Sequence, residues 1–252
     1  MKTNRITHGV VILAVASVVF AAGRASAGVI YEDIFYWMPD GTTLINPTEG
    51  PTDAWVKIQE TVYDDAQGKQ LLSQQIQLGL IHGSAVPAGP INVYAYSISN
   101  LEYDNGPYTG MGLGISGFNI VNAAGVPVLG QWGPNAANSW WEVGPNNSGP
   151  GNIEWDIDAN MNSDDGDGIG ILLGQTHNSF YYAVPDGTAH GITGGHWVHS
   201  WDTSAGPELS SGAIQTDVVY GMLSLPIPEP GTTSLVAAAA AGLVFVRRRL
   251  NA

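Results

Sequence analysis

Glycine and proline constrain the fold of this 252-residue chain more than any other feature. Its 33 Gly and 15 Pro interrupt the sequence so often that long helices are disfavoured. Between these breaks lie short segments in which polar and apolar residues alternate, as they do in strands with one buried face. The predicted strands are 55–63, 91–99, 117–121, 153–159, 169–173, 180–184, 196–201 and 217–224. Their spacing predicts an all-β body at 28–225, an antiparallel β-sandwich of jelly-roll or Ig-like type.

The first residues have the pattern of a secretory signal helix. Lys2 and Arg5 precede the apolar run 10–22, and Ala25-Ser26-Ala27 supplies a small-residue cleavage site before Gly28. The run is shorter than the roughly 20 residues that cross a bilayer as a helix. We therefore expect residues 1–27 to be a signal peptide that is removed during export.

The body between the ends is strongly acidic and lacks cysteine. Residues 28–227 contain only Lys57 and Lys69 against 21 acidic residues, a formal net charge of −19. Such a surface repels phosphate backbones, so nucleic acid is not expected as a partner. With no cysteine, disulfides, thiol catalysis and Cys₄ zinc sites are excluded, and burial must stabilise the fold.

The last residues, 226–252, combine three different features in a fixed order. Pro226-Ile227-Pro228-Glu229-Pro230-Gly231 is an extended segment, because proline fixes φ. The uncharged segment 232–246 follows and predicts a transmembrane helix of roughly 22 Å. Arg247-Arg248-Arg249 comes next and is expected to stay on the cytoplasmic side of the inner membrane. A plain C-terminal anchor, which would not be cleaved, is the alternative.

This tail resembles the PEP-CTERM sorting signal, which exosortase-type membrane proteases recognise in Gram-negative bacteria. The match covers Pro228-Glu229-Pro230, the apolar helix and the arginine cluster. The resemblance implies a precursor held in the inner membrane, cut near the motif, and then released or attached at the cell surface. It also implies a role beside exopolysaccharide in a biofilm matrix.

One predicted strand, 153–159, carries alternating carboxylates. Glu154, Asp156 and Asp158 share one face of it, as in any half-exposed strand. The spacing resembles the E-x-D-x-E catalytic strand of laminarinase-like glycoside hydrolases, with Asp158 where that family has Glu. The resemblance implies a nucleophile at Glu154, an orienting carboxylate at Asp156 and an acid/base at Asp158.

Acidic and amide side chains crowd the segment after this strand. Its Asp165-Gly166-Asp167-Gly168-Ile169-Gly170 stretch resembles the D-G-D-G-x-G pattern of calcium-binding repeats. Hard oxygens suit calcium, although the same residues also build ordinary turns. Calcium is the one cofactor suggested, with the candidate ligands Asp158, Asn160, Asn162, Asp165 and Asp167.

Aromatic and histidine residues give two further expectations. Trp140-Trp141 on a strand would send one ring outward, where it could stack on a sugar, although tryptophans also fill β cores. His196 and His199 would lie on opposite strand faces and could not chelate one metal together. The sequence thus favours a non-enzymatic matrix or surface protein that binds exopolysaccharide, with a glycoside hydrolase using Glu154 and Asp158 as the alternative.

Overall fold

The computed structural model describes residues 28–102, 114–120, 126–136, 139–143, 153–157, 170–202 and 214–226. This part of the chain is all-β with one helix, as the glycine-rich alternating sequence predicts. The elements are β1 Val29–Trp37, β2 Thr43–Ile45, β3 Val56–Tyr63, α1 Asp65–Gln77, β4 Ile81–Gly83, β5 Ile91–Asn100, β6 Gly117–Ile120, β7 Gly130–Ala136, β8 Ser139–Val143, β9 Ile153–Ile157, β10 Thr176–Pro185, β11 His190–Asp202 and β12 Ile214–Pro226.

The strands form two antiparallel sheets. The first sheet has the order β4-β7-β10-β5-β3-β1-β2, and the second has the order β12-β11-β6-β9-β8. The β7–β8 pair connects them, with Asn135 opposite Trp140. Most neighbours in this order are not consecutive in sequence, so the fold depends on contacts between distant segments.

Alternation along the strands produces the main core. On β3, Val56, Ile58, Glu60 and Val62 are buried, while the residues that alternate with them are partly exposed. Apolar side chains from β1, β3, β5 and β10 join those from β6, β8, β9, β11 and β12 in one buried cluster. Trp37 and Trp155 are among its largest members, and this aromatic burial stabilises a chain that has no disulfides.

The helix α1 covers the other face of the first sheet, at a place where no helix was predicted. Asp64 caps its first turn by accepting a hydrogen bond from Gln67 N at 2.9 Å. Leu72 packs on Val93 in a second cluster. Gly68 lies against β5 so closely that a Cβ there would collide with Val93. Because the helix covers this face, residues on both faces of β5 are buried near Val93.

Seven predicted strands are confirmed in the described residues, and one is wrong. Within 169–173, Ile171 makes only an isolated bridge to Ile115, because the chain turns there. The strands β1, β2, β4, β7 and β8 were not predicted. Among the residues that the structure describes, no helix is long and apolar enough to cross a membrane. The predicted signal helix and tail helix both lie outside them.

Candidate functional site

The strand β9 places two of its carboxylates on the face opposite the core. Ile153, Trp155 and Ile157 enter the main core, so Glu154 and Asp156 point the other way. The sequence predicted that these carboxylates share a face. It also predicted that this face is half-exposed, whereas both side chains are largely buried. Glu154 is only 3 % exposed, and the Asp156 side chain is 13 % exposed.

A row of residues crosses the second sheet at Asp156. The strand register places Glu142 and Gly117 on either side of Asp156, and His199 beyond Gly117. Because Gly117 has no side chain, the imidazole lies over it, and a Cβ there would collide with the His199 ring. His199 Nε2 thereby reaches Asp156 Oδ1, two strands away, at 3.1 Å. We call Glu142, Asp156, Gly117 and His199 the acidic row.

Electrostatics decide the protonation of the Asp156–His199 pair. Burial, and then the negative charges of Glu154 and Glu142, raise the pKa of Asp156 to about 8. Burial lowers the pKa of His199 to about 3. Burial therefore disfavours the charged form of both groups. The 3.1 Å contact between His199 Nε2 and Asp156 Oδ1 is a buried hydrogen bond in which the two pKa shifts favour uncharged partners.

No basic side chain of the described residues compensates this acidic face. Lys57 lies on β3 and Lys69 on α1, both in or against the first sheet. Protonation of Asp156 removes its repulsion by the negative charges of Glu154 and Glu142. A divalent cation could replace that proton, but the described part of the chain has no group of three or more His, Asp or Glu side chains arranged to hold a metal ion.

The predicted histidine geometry is confirmed. His196 lies on the face of β11 that carries Val198 into the core, and His199 lies on the opposite face beside Trp197, with ring centroids 4.6 Å apart. Both histidines are buried. Burial also lowers the pKa of His196, to about 4, so that both rings are neutral at physiological pH.

Of the Trp140-Trp141 pair, Trp141 is the residue whose ring is buried, so it cannot stack on a sugar. Trp141 is 1 % exposed and packs edge-on against Phe180, with ring centroids 4.9 Å apart. The register of β8 on β9 places Trp141 opposite Ile157, which also belongs to the main core. The side chain of Trp140 lies outside the described residues, as do Asp158, Asn160, Asn162, Asp165, Asp167, Pro228, Glu229, Pro230, Arg247, Arg248 and Arg249.

A second buried carboxyl, Glu60, lies in the main core. It occupies the inward phase of β3 between Ile58 and Val62 and is fully buried. Ser224 N donates to its Oε2 at 3.1 Å, and the Tyr96 hydroxyl donates to its Oε1 at 3.4 Å. Burial raises the pKa of Glu60 well above its ordinary value, which favours the neutral, hydrogen-bonding form of this side chain.

Sequence reasoning missed three participants in these sites. Glu60 could have been noticed as a glutamate in the apolar phase of an alternating strand. Nothing local in the sequence marks Gly117 or Glu142, because their roles arise only when β6 and β8 pair with β9. Comparison of the chain with protein-family models, curated proteins and solved structures finds no match.

Proposed function

We propose that this chain is an exported protein of the cell surface or extracellular matrix, processed at both ends. The observation that carries the proposal is the order of Pro228-Glu229-Pro230, the apolar segment 232–246 and Arg247-Arg248-Arg249. An apolar segment followed by arginines halts translocation with the arginines in the cytoplasm. An exosortase-type protease would then cut the precursor in the inner membrane, and the body would reach the surface or the medium.

Replacing Pro228, Glu229 and Pro230 with alanines in the native host tests the sorting step. The apolar segment and arginines remain, so the variant should accumulate uncut in the membrane fraction. A control with alanines at Thr232 and Thr233 should be processed normally. Normal processing of the motif variant would refute sorting, and absence of both chains from the membrane at all stages would refute anchoring.

We also propose that the body is a β-sandwich, of jelly-roll or Ig-like type. Supporting this are the single core cluster shared by both sheets and the hydrogen bond from Trp37 Nε1 on β1 to the Met222 carbonyl on β12, at 3.1 Å. Sheets that face one another across an apolar layer bury their alternating residues in this way. A crystal structure with the two sheets separated would contradict it.

Exopolysaccharide is the proposed partner of the body, and Trp140 is the remaining stacking candidate. An exposed indole ring can stack on a sugar while neighbouring polar groups bind its hydroxyls. Titration with polysaccharide from the native host should shift the tryptophan fluorescence, and Trp140→Ala should remove most of that shift. An unchanged spectrum across a panel of glycans would refute binding.

Calcium is proposed as a cofactor of the segment that follows β9, with Asp158, Asn160, Asn162, Asp165 and Asp167 as ligands. The observation that supports it is the run of Asp and Asn side chains that begins directly after β9, since hard oxygens of this kind suit calcium. Calcium at about 100 times its Kd should add roughly 2.7 kcal/mol to the free energy of unfolding. The double variant Asp165→Asn, Asp167→Asn should lose this gain, and Asp53→Asn, on an exposed loop, should keep it. Equal melting temperatures in EDTA and calcium would refute the site.

A glycoside hydrolase acting through Glu154 and Asp158 is the second candidate function. The observation that favours it is that Glu154 and Asp156, the expected nucleophile and orienting carboxylate, share the face of β9 opposite the core. The burial of Glu154 weighs against it, because a nucleophile must reach a sugar carbon. Reducing-sugar release that Glu154→Gln abolishes would support this function, and release that survives Glu154→Gln would refute the assignment.

A further inference from the structure

The beginning of the first strand and the end of the last strand lie side by side. Tyr31, near the start of β1, makes an edge contact with His190, with ring centroids 4.7 Å apart. His190 is in turn paired with Pro226, the last residue of β12. Gly28 is only three residues before Tyr31, or about 10 Å of extended chain. Both ends of the body therefore leave from one end of the molecule, which we call the attachment end.

Hydrogen bonds between the sheets hold β12 in this position. Ser224 N donates to Glu60 Oε2 at 3.1 Å, within the core. Two residues earlier, Met222 N donates to Thr43 Oγ1 at 3.0 Å, while the Met222 carbonyl accepts from Trp37 Nε1 at 3.1 Å. The end of β12, just before the tail, is thus fixed to the first sheet at several points.

The acidic row lies towards the opposite end. Along β11, His199 follows His190 by nine residues, which in a strand is about 30 Å. The register places Gly117 and Asp156 beside His199 at this level. Leu173, 64 % exposed, belongs to the same far end, because Gly174 N donates to the Asn100 carbonyl at the end of β5.

We infer that the membrane-held precursor stands on its attachment end and presents the acidic row away from the bilayer. This inference rests on the proposed anchoring by the tail. Five residues, 227–231, separate Pro226 from the apolar segment and reach at most about 18 Å. The N-terminal apolar segment leaves the same end until it is removed. An anionic bilayer surface also repels a body of net charge −19, which disfavours lying flat.

The orientation has a consequence for the partner of the body. Trp140 and Asp158, where the proposed polysaccharide and calcium contacts begin, are two residues from Glu142 and Asp156 in sequence. A ligand at either place would approach from the side away from the membrane, so binding is compatible with the anchored precursor. The protease, in contrast, works at the attachment end, about 30 Å away. Ligand binding and cleavage can therefore occur on the same molecule without steric competition.

Single cysteines test the orientation, since the chain has none of its own. Ala189→Cys lies in the exposed turn before β11 at the attachment end, and Leu173→Cys lies before β10 at the far end. The ten-residue strand β10 separates the two turns by about 30 Å. Each full-length precursor, carrying a donor dye on its cysteine, is reconstituted into vesicles with an acceptor dye on the lipid headgroups.

Energy transfer to the lipid should be several-fold greater from position 189 than from position 173. A chain that lacks both 1–27 and 228–252 should give no transfer from either position. Precursor that floats with the vesicles but shows equal transfer, or more from 173, would overturn the orientation alone. Precursor that does not float with the vesicles would overturn the anchoring on which it rests. Melting temperatures close to that of the unsubstituted chain confirm that both variants are folded.

Discussion

Replacing Glu60 with glutamine should change how the stability of the protein depends on pH. Glu60 is fully buried in the main core, and burial raises the pKa of its carboxyl well above the ordinary value. The folded state thus holds a proton that the unfolded chain releases above pH about 4.3. Glutamine preserves the acceptor for Ser224 N but cannot ionise.

The size of the effect follows from proton linkage. While the folded carboxyl stays protonated and the unfolded one is ionised, the free energy of unfolding falls by about 1.4 kcal/mol per pH unit. The stability that this proton contributes is complete below the unfolded pKa and is lost as the pH rises. Above pH 5, each pH unit over which the folded carboxyl stays protonated should therefore cost the wild-type protein about 1.4 kcal/mol relative to Glu60→Gln.

Urea denaturation followed by tryptophan fluorescence, at pH 5, 6, 7 and 8, measures this difference. Glu49→Gln, an exposed glutamate in the loop after β2, serves as the matched control and should follow the wild type at every pH. Wild type and Glu60→Gln whose stabilities run parallel from pH 5 to pH 7 would refute the reasoning. Such a result would mean that Glu60 is ionised and solvated in the folded protein.

Three further predictions concern the second sheet. Gly117→Ala should displace the His199 ring and lower the free energy of unfolding by about 1–3 kcal/mol. The control Gly89→Ala, at a glycine with open space around it, should lower it little. Equal losses for the two variants in urea denaturation would refute the close contact. Between pH 5 and pH 8 the free energy of unfolding should fall less steeply with pH in Asp156→Asn than in the wild type, because the pKa of Asp156 in the folded protein is raised to about 8. The same dependence on pH in both proteins would show that this carboxyl is ionised. Trp141→Ala should cost about 3–5 kcal/mol without changing polysaccharide affinity in titrations of the folded variant; a loss of affinity would contradict its place in the core.

Period-two alternation predicted the central strands because their side chains obey a local rule. On β3, and on β5 from Tyr94 onwards, the buried residues recur at every second position, so the sequence alone indicates their phase. The helix α1 was not predicted because Asp64, Asp65 and Gly68 are residue types that are common in turns. The capping bond from Gln67 N to Asp64 and the packing of Leu72 on the sheet turn the same residues into a helix.

The contacts within the candidate site could not be predicted from sequence because they are non-local. The bond between Asp156 and His199 joins residues 43 positions apart and needs a glycine on a third strand between them. A strand pattern shows that one of Trp140 and Trp141 faces inward, but only the pairing of β8 with β9 decides which one. The burial of Glu154 likewise depends on how the finished body covers that face.

The most direct test of the central claim is the intact mass of the protein in each cell fraction of its native host. We predict that the mature chain starts at Gly28, ends near Pro228–Pro230, and is found at the cell surface or in the medium. Its precursor should occur only in the inner membrane. A full-length chain in the cytosol, with both terminal segments still attached, would contradict the account.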